Sequence, residues 1–146
     1  MRTPPAAAHS HIALTRDELI AWGEAFGRAA EAPLVVALGG ELGAGKTTLV
    51  QAICRGYGVA GAVTSPTYAI VHEYESARGG VWHADLYRLG GPADLDALGW
   101  DELVGSARLG LIEWPVRAGP RLPSGTVPLD LEHIPGDLDR RVLLAG

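Results

Sequence analysis

The 146-residue chain holds one cysteine, one lysine, one glutamine and no asparagine. A lone Cys54 excludes an internal disulfide framework and any metal site built from clustered cysteines. No apolar run approaches the roughly 20 residues that span a bilayer. The opening Met-Arg-Thr-Pro-Pro lacks the apolar stretch of a signal peptide. A formal charge of −5, with an isoelectric point near 5.4, argues against a chain that grips nucleic acid alone through a broad basic surface. The expectation is a cytoplasmic protein with no membrane contact. At 47% hydrophobic and 20% charged residues, the composition is that of a folded domain.

Of the 12 basic residues, all but Lys46 are arginine, so the position of that one lysine asks for a reason. Residues 1–10 are rich in proline and alanine, show no periodicity and are expected to form a flexible tail. Residues 11–146 then read as a single domain. His11 to Leu14 suits a short edge strand. Thr15 and Glu18 have capping-box spacing, and the helix they start places Leu19, Trp22, Phe26 and Ala30 on one face. Gly23 and Gly27 allow that helix to pack closely, and Pro33 ends it.

Leu34 to Leu38 is an apolar run suited to a buried central strand. A second helix is expected over Lys46 to Arg55, with Gly56, Gly58 and Gly61 marking a loop after it. Tyr68 to Glu75 and Val81 to Leu89 read as two strands joined by a hairpin-length turn. Pro92 to Leu98 and Trp100 to Val104 read as short helical turns. Leu109 to Ile112 is another buried strand, closed by Glu113-Trp114-Pro115. Val127 to His133 and Arg140 to Leu144 read as a terminal hairpin across Pro135-Gly136-Asp137. Helices next to parallel-type strands, combined with hairpins, predict an α/β domain on a mixed sheet.

The segment Gly40-Glu41-Leu42-Gly43-Ala44-Gly45-Lys46-Thr47 matches G-x-x-x-x-G-K-[ST] in full, between a buried strand and an amphipathic helix. Such glycines let the backbone curl until successive N–H groups point at phosphate oxygens. The helix N-terminus adds its dipole and unpaired donors. Lys46 is placed to reach the β- and γ-phosphates, and the Thr47 hydroxyl to bind Mg²⁺.

A phosphate loop needs an acid across from it. Leu109 to Glu113 is an apolar strand ending in a carboxylate, where Glu113 either holds Mg²⁺ through water or polarises the attacking water. In Val81 to Leu89, alternation puts Trp82, Ala84 and Leu86 on one face and His83, Asp85 and Tyr87 on the other. Asp85 is placed for the outer shell of a metal. For His83 and Tyr87 a hydrogen-bonded supporting role stands beside a direct one. Thr64-Ser65-Pro66-Thr67 sets three hydroxyls where nucleotide switches place γ-phosphate sensors, although alone it is a polar turn. Trp114 suits stacking on a base or a partner as well as a half-buried core position.

Gly40 to Thr48, Thr64 to Tyr68, His83 to Leu89 and Leu109 to Pro115, in this order and spacing, resemble the bacterial TsaE (YjeE) family of small P-loop ATPases. The resemblance runs from about Thr15 to the terminal hairpin and implies a P-loop NTPase-type mixed sheet flanked by helices. It implies ATP and Mg²⁺ binding, and assembly with TsaB and TsaD to install threonylcarbamoyl on the adenosine at position 37 of tRNAs that read codons starting with A. By position, the resemblance makes Lys46 and Thr47 phosphate and metal ligands, with Thr48 on the same loop, and Glu113 the second metal-side carboxylate. Asp85 becomes an active-site acid, Thr64, Ser65 and Thr67 a switch-like loop, and Trp114 a neighbour of the nucleotide. Trp100 departs from the pattern, which has a smaller apolar residue there.

A small-molecule kinase on the same loop is the alternative, but no arginine cluster is present to build its lid. A GTPase-like module is excluded in its usual form, since an N/T-K-x-D motif needs a second lysine. A nucleotide-sensing module without turnover differs only in whether ATP is hydrolysed. The acidic charge implies contact with tRNA only through partners. So small a domain has little length left for a water-excluding lid, which implies a weak ATPase whose turnover rises with its partners.

Overall fold

The computed structural model describes residues 10–41, 43–61, 63 and 70–145. Seven strands form one sheet: β1 (Ser10–Thr15), β2 (Leu34–Gly40), β3 (Val71–Tyr74), β4 (Val81–Asp85), β5 (Leu109–Glu113), β6 (Val127–Ile134) and β7 (Asp137–Ala145). Their order is β1-β7-β6-β2-β5-β4-β3. The four middle strands run parallel, and β1, β7 and β3 add antiparallel edges. This is the mixed α/β sheet that the sequence pattern implies, with β6 and β7 as the terminal hairpin.

Helices α1 (Arg16–Ala29) and α2 (Lys46–Tyr57) cover one face of the sheet. A 3-10 segment (Pro92–Leu98) and α3 (Trp100–Gly105) cover the β4–β5 end of the other. Strand β5 is buried along its whole length, which explains its unbroken apolar run. Thr15 starts α1 by a full capping box: its hydroxyl accepts from the Glu18 amide, and its own amide donates to Glu18 Oε1 at 2.8 Å.

The helix pair depends on missing side chains. A Cβ at Gly23 would lie 2.7 Å from Ala52 Cβ, and one at Gly27 would lie 2.1 Å from the Ile53 carbonyl oxygen. Gly56 does the same from the other helix, where a Cβ would meet the Glu24 carbonyl oxygen at 2.0 Å. Gly56 therefore lies inside α2 and does not mark the loop expected from sequence; the helix runs on to Tyr57 and ends at Gly58, with φ 109°. Arg78, from the turn between β3 and β4, donates to the Gly27, Arg28 and Ala30 carbonyls at the end of α1. Its guanidinium lies over the Tyr57 ring, 4.3 Å from the centroid. One side chain thus caps α1 and ties α2 to the β3–β4 turn.

Other boundaries also moved. Strand β4 stops at Asp85 and the chain turns there, because the Asp85 carboxylate accepts the Tyr87 amide and the Leu89 amide bonds Leu86. Strand β3 begins at Val71 among the described residues; Tyr68 and Ala69 lie outside them, as do residues 1–9. In the second core Trp82 lies across Gly110, where a Cβ would stand 2.1 Å from the indole. Trp100 meets Trp82 edge to face at 5.9 Å and donates to the Arg121 carbonyl at 2.9 Å. A large side chain at position 100 is therefore filled into the core and hydrogen-bonded.

Gly27→Ala is expected to cost about 1–3 kcal/mol, the range for overpacking against a backbone that cannot retreat. Gly105→Ala, where a Cβ meets nothing within 4 Å, should be neutral or slightly stabilising. Urea unfolding of both variants checks the pair, and equal effects would contradict the close approach of the helices.

Candidate functional site

Strand β2 delivers the chain to a glycine turn. Gly40, Gly43 and Gly45 have φ of 125°, 76° and 105°, values that a Cβ opposes. Gly45 is the N-cap of α2 and has no side chain to cap that helix, which leaves its first amides to the loop side. Lys46 and Thr47 open the helix. The Lys46 side chain folds back, donating from Nζ to the Gly40 carbonyl at 2.7 Å and lying over the Trp114 ring at 3.5 Å.

Parallel pairing sets what stands opposite. Leu38 of β2 pairs with Glu113 of β5, and Glu113 pairs with Asp85 of β4. The ends of three neighbouring strands therefore bring both carboxylates beside the loop, at the carboxyl edge where parallel sheets bind ligands. One cavity of about 370 Å³ results. Gly43, Gly45, Lys46, Thr47 and Thr48 form one wall, with Asp85, Tyr87, Glu113 and Trp114 opposite.

Glu113 is 3% exposed, and its Oε2 lies 2.6 Å from Nε2 of the fully buried His83. A buried carboxylate needs such a partner. Asp85 is held above the ordinary range of an aspartate, chiefly by burial; the Tyr87 amide opposes the rise and the Glu113 charge adds to it. Burial likewise lowers the Lys46 ammonium, against the pull of Glu113 and Asp85. Trp114 is the one described non-glycine residue with positive φ, at 57°, a conformation that costs about 1–3 kcal/mol. That backbone turn lays its ring beside both Lys46 and Tyr87, whose centroid is 4.9 Å away.

The structure thus brings together Gly43, Gly45, Lys46, Thr47, Thr48, Asp85, Glu113 and Trp114. It does not place every loop residue at the cavity. Gly40 contributes its carbonyl to Lys46, Glu41 is exposed, and the Ala44 methyl lies in the hydrophobic core. Leu42, Thr64, Ser65, Pro66 and Thr67 lie outside the described residues. His83 and Tyr87 were left open by sequence: His83 supports Glu113 from behind, and Tyr87 lines the cavity. The alternation His83-Asp85-Tyr87 was the available signal, but the His83–Glu113 contact joins two strands and no local pattern reveals it.

A strand, a glycine turn and a Lys-Thr helix start, faced by carboxylates on adjacent parallel strands, define a P-loop nucleotide-binding protein. The family model described as "Threonylcarbamoyl adenosine biosynthesis protein TsaE" matches residues 14–142. The chain belongs to the TsaE family. The Haemophilus influenzae protein named tRNA threonylcarbamoyladenosine biosynthesis protein TsaE is 38% identical over 103 residues, covering 70% of this chain and 65% of that relative. The Treponema pallidum protein of the same name is 36% identical over 85% of this chain and 90% of its own length. The crystal structure of YdiB from Bacillus subtilis superposes with a TM-score of 0.75 at 25% identity, covering 94% of this chain and 88% of that one.

Asp85 binds its proton more tightly folded than unfolded, so its carboxylate weakens the fold as pH rises through the carboxylate range. Asp85→Asn keeps the acceptor for the Tyr87 amide and removes that charge. The variant is expected to melt above the wild type at pH 7, the gap closing as pH falls toward about 4. Scanning calorimetry at both pH values checks this, and a lower melting point at pH 7 would contradict it.

Proposed function

We propose that the protein binds ATP with Mg²⁺ in this cavity and works as a weak, partner-dependent ATPase. On this reading it acts with TsaB and TsaD to form threonylcarbamoyladenosine at position 37 of tRNAs that read codons starting with A. The family description and the names of the relatives support the pathway. The observation that carries the reading is the single cavity in which Lys46 and Thr47 face Asp85 and Glu113.

Each residue has a task there. The uncapped amides of α2 and the glycine turn would hold phosphate oxygens, and Lys46 would leave the Gly40 carbonyl to meet them. No group of three or more His, Cys, Asp or Glu side chains among the described residues is arranged to hold a metal by itself. That fits Mg²⁺, which takes one or two carboxylates and completes its shell with phosphate oxygens and water. Thr47, with Glu113 directly or through water and Asp85 in the outer shell, supplies that donor set. When bound, the ion would offset charge on the phosphates. Glu113, steadied by His83, would orient the attacking water or hold the metal side of the site, and Asp85 is the second candidate for the water. Lys46 would stabilise charge developing toward the γ-phosphate. Thr64, Ser65 and Thr67 are proposed as the switch that senses that phosphate, with Trp114 beside the nucleotide. Contact with tRNA would pass through the complex, since the chain carries net charge −5.

Lys46→Ala should remain folded and lose ATP affinity, read by titration calorimetry. Glu113→Gln should still bind ATP but hydrolyse it on the order of 10²–10⁴ more slowly, the usual contribution of a water-activating group. Unchanged turnover would move that role to Asp85. For the wild type, steady-state phosphate release should be slow alone and rise when TsaB and TsaD are added together. Fast hydrolysis indifferent to both would remove the switch from the mechanism.

A further inference from the structure

His83 is fully buried in strand β4, between the paired positions His72 of β3 and Leu111 of β5. Its Nε2 lies 2.6 Å from Glu113 Oε2, diagonally across the sheet toward the cavity edge. Its Nδ1 is buried as well and has no hydrogen-bond partner among the described residues. Buried polar atoms are nearly all paired, so a ring with one nitrogen on a carboxylate and the other empty asks for a reason. Resting on the nucleotide reading above, we propose that His83 is a positioning residue that donates from Nε2 to Glu113 Oε2, takes that oxygen out of play and leaves Oε1 as the one working oxygen of the carboxylate.

The empty Nδ1 fixes the direction of the bond. A neutral imidazole carries one ring hydrogen, and a carboxylate oxygen only accepts. With the hydrogen on Nδ1, a buried donor would be orphaned, and lone pairs on Nε2 and Oε2 would face each other at 2.6 Å. With the hydrogen on Nε2, the carboxylate receives a donor and the orphan is an acceptor, the less costly of the two. An imidazolium, or a Glu113 hydroxyl donating to Nε2, would again leave an Nδ1–H buried without an acceptor.

The bond has a consequence for the site. A carboxylate without that donor could turn about its side-chain torsions and offer either oxygen. With Oε2 held, Glu113 presents one oxygen in one direction, which suits an ion that demands near-octahedral geometry or a single positioned water. Asp85 stands opposite Glu113 in the register, two residues beyond His83 on the same face of β4. One strand therefore carries both the second carboxylate and the hold on the first.

Ring spectra and kinetics on the full chain test this together. In nitrogen-15 spectra of the wild-type histidine rings, assigned by through-bond correlations, His83 should show a protonated Nε2 and a bare Nδ1. The reverse overturns the proposal, and this reading needs no variant to fold. His83→Phe keeps a ring without nitrogen and should hydrolyse ATP about 10–100-fold more slowly, the usual effect of losing a group that orients a ligand. Its ATP affinity in calorimetry should hold to within about twofold, since the phosphate cradle is untouched. His83→Gln sets an amide nitrogen as many bonds from the backbone as Nε2 and should recover most of the rate. In the Glu113→Gln background, His83→Phe should add almost no further loss, because it acts only through that carboxylate. A merely structural histidine would give losses that multiply. That result, or a His83→Gln protein as slow as His83→Phe, overturns the proposal while leaving the nucleotide reading standing. Wild-type protein that binds no ATP removes the nucleotide reading itself, and the ring spectra still decide which way the bond runs.

Discussion

Three parallel strands share one hydrogen-bonding register, Leu38 opposite Glu113 and Glu113 opposite Asp85, and this pairing carries two carboxylates to the edge from which the glycine turn leaves. A slip of one residue in β5 would turn Glu113 to the other face and take it from the cavity. Both faces of β5 are buried, and a shift would also bring a side chain to the place where Gly110 leaves room for the Trp82 indole.

Such an edge gathers charge out of water. Lys46 is 5% exposed and Glu113 only 3%. The structure offsets this desolvation locally, with the Gly40 carbonyl and the Trp114 ring on the ammonium and His83 on the carboxylate. Burial holds the Asp85 carboxyl above the ordinary aspartate range, and the Trp114 backbone is held in a left-handed turn. Both features cost stability, and a cation beside Asp85 would offset the first of them. That is the pattern of a site arranged for a ligand rather than for the isolated fold.

The helix pair links this edge to the rest of the molecule. Gly23, Gly27 and Gly56 let α1 and α2 approach backbone to backbone, which fixes where the first turn of α2 presents its amides. Arg78 then ties the end of α1 to Tyr57 at the end of α2. Loop and helix start are thus positioned by packing on the face of the sheet that α1 and α2 cover.

Much of this was legible in the residues because the signals are local. The glycine turn with Lys46-Thr47, the Thr15–Glu18 capping box, the apolar run ending in Glu113 and the Pro135-Gly136 turn each lie within a few consecutive positions. Hydrogen bonding and side-chain alternation over such short spans depend little on what packs elsewhere. Gly56 misled because a glycine needed for close helix contact looks the same in sequence as one that ends a helix. The His83–Glu113 contact, the raised pKa of Asp85 and the pocket between α1 and β7 were hidden for a related reason. They arise from strand register and burial among segments far apart in the chain. Arg16 and Arg141 meet one cavity only because β1 and β7 pair at the sheet edge and bring the two ends together. Sequence determined which groups this protein has for phosphate chemistry; the sheet decided which of them face one another.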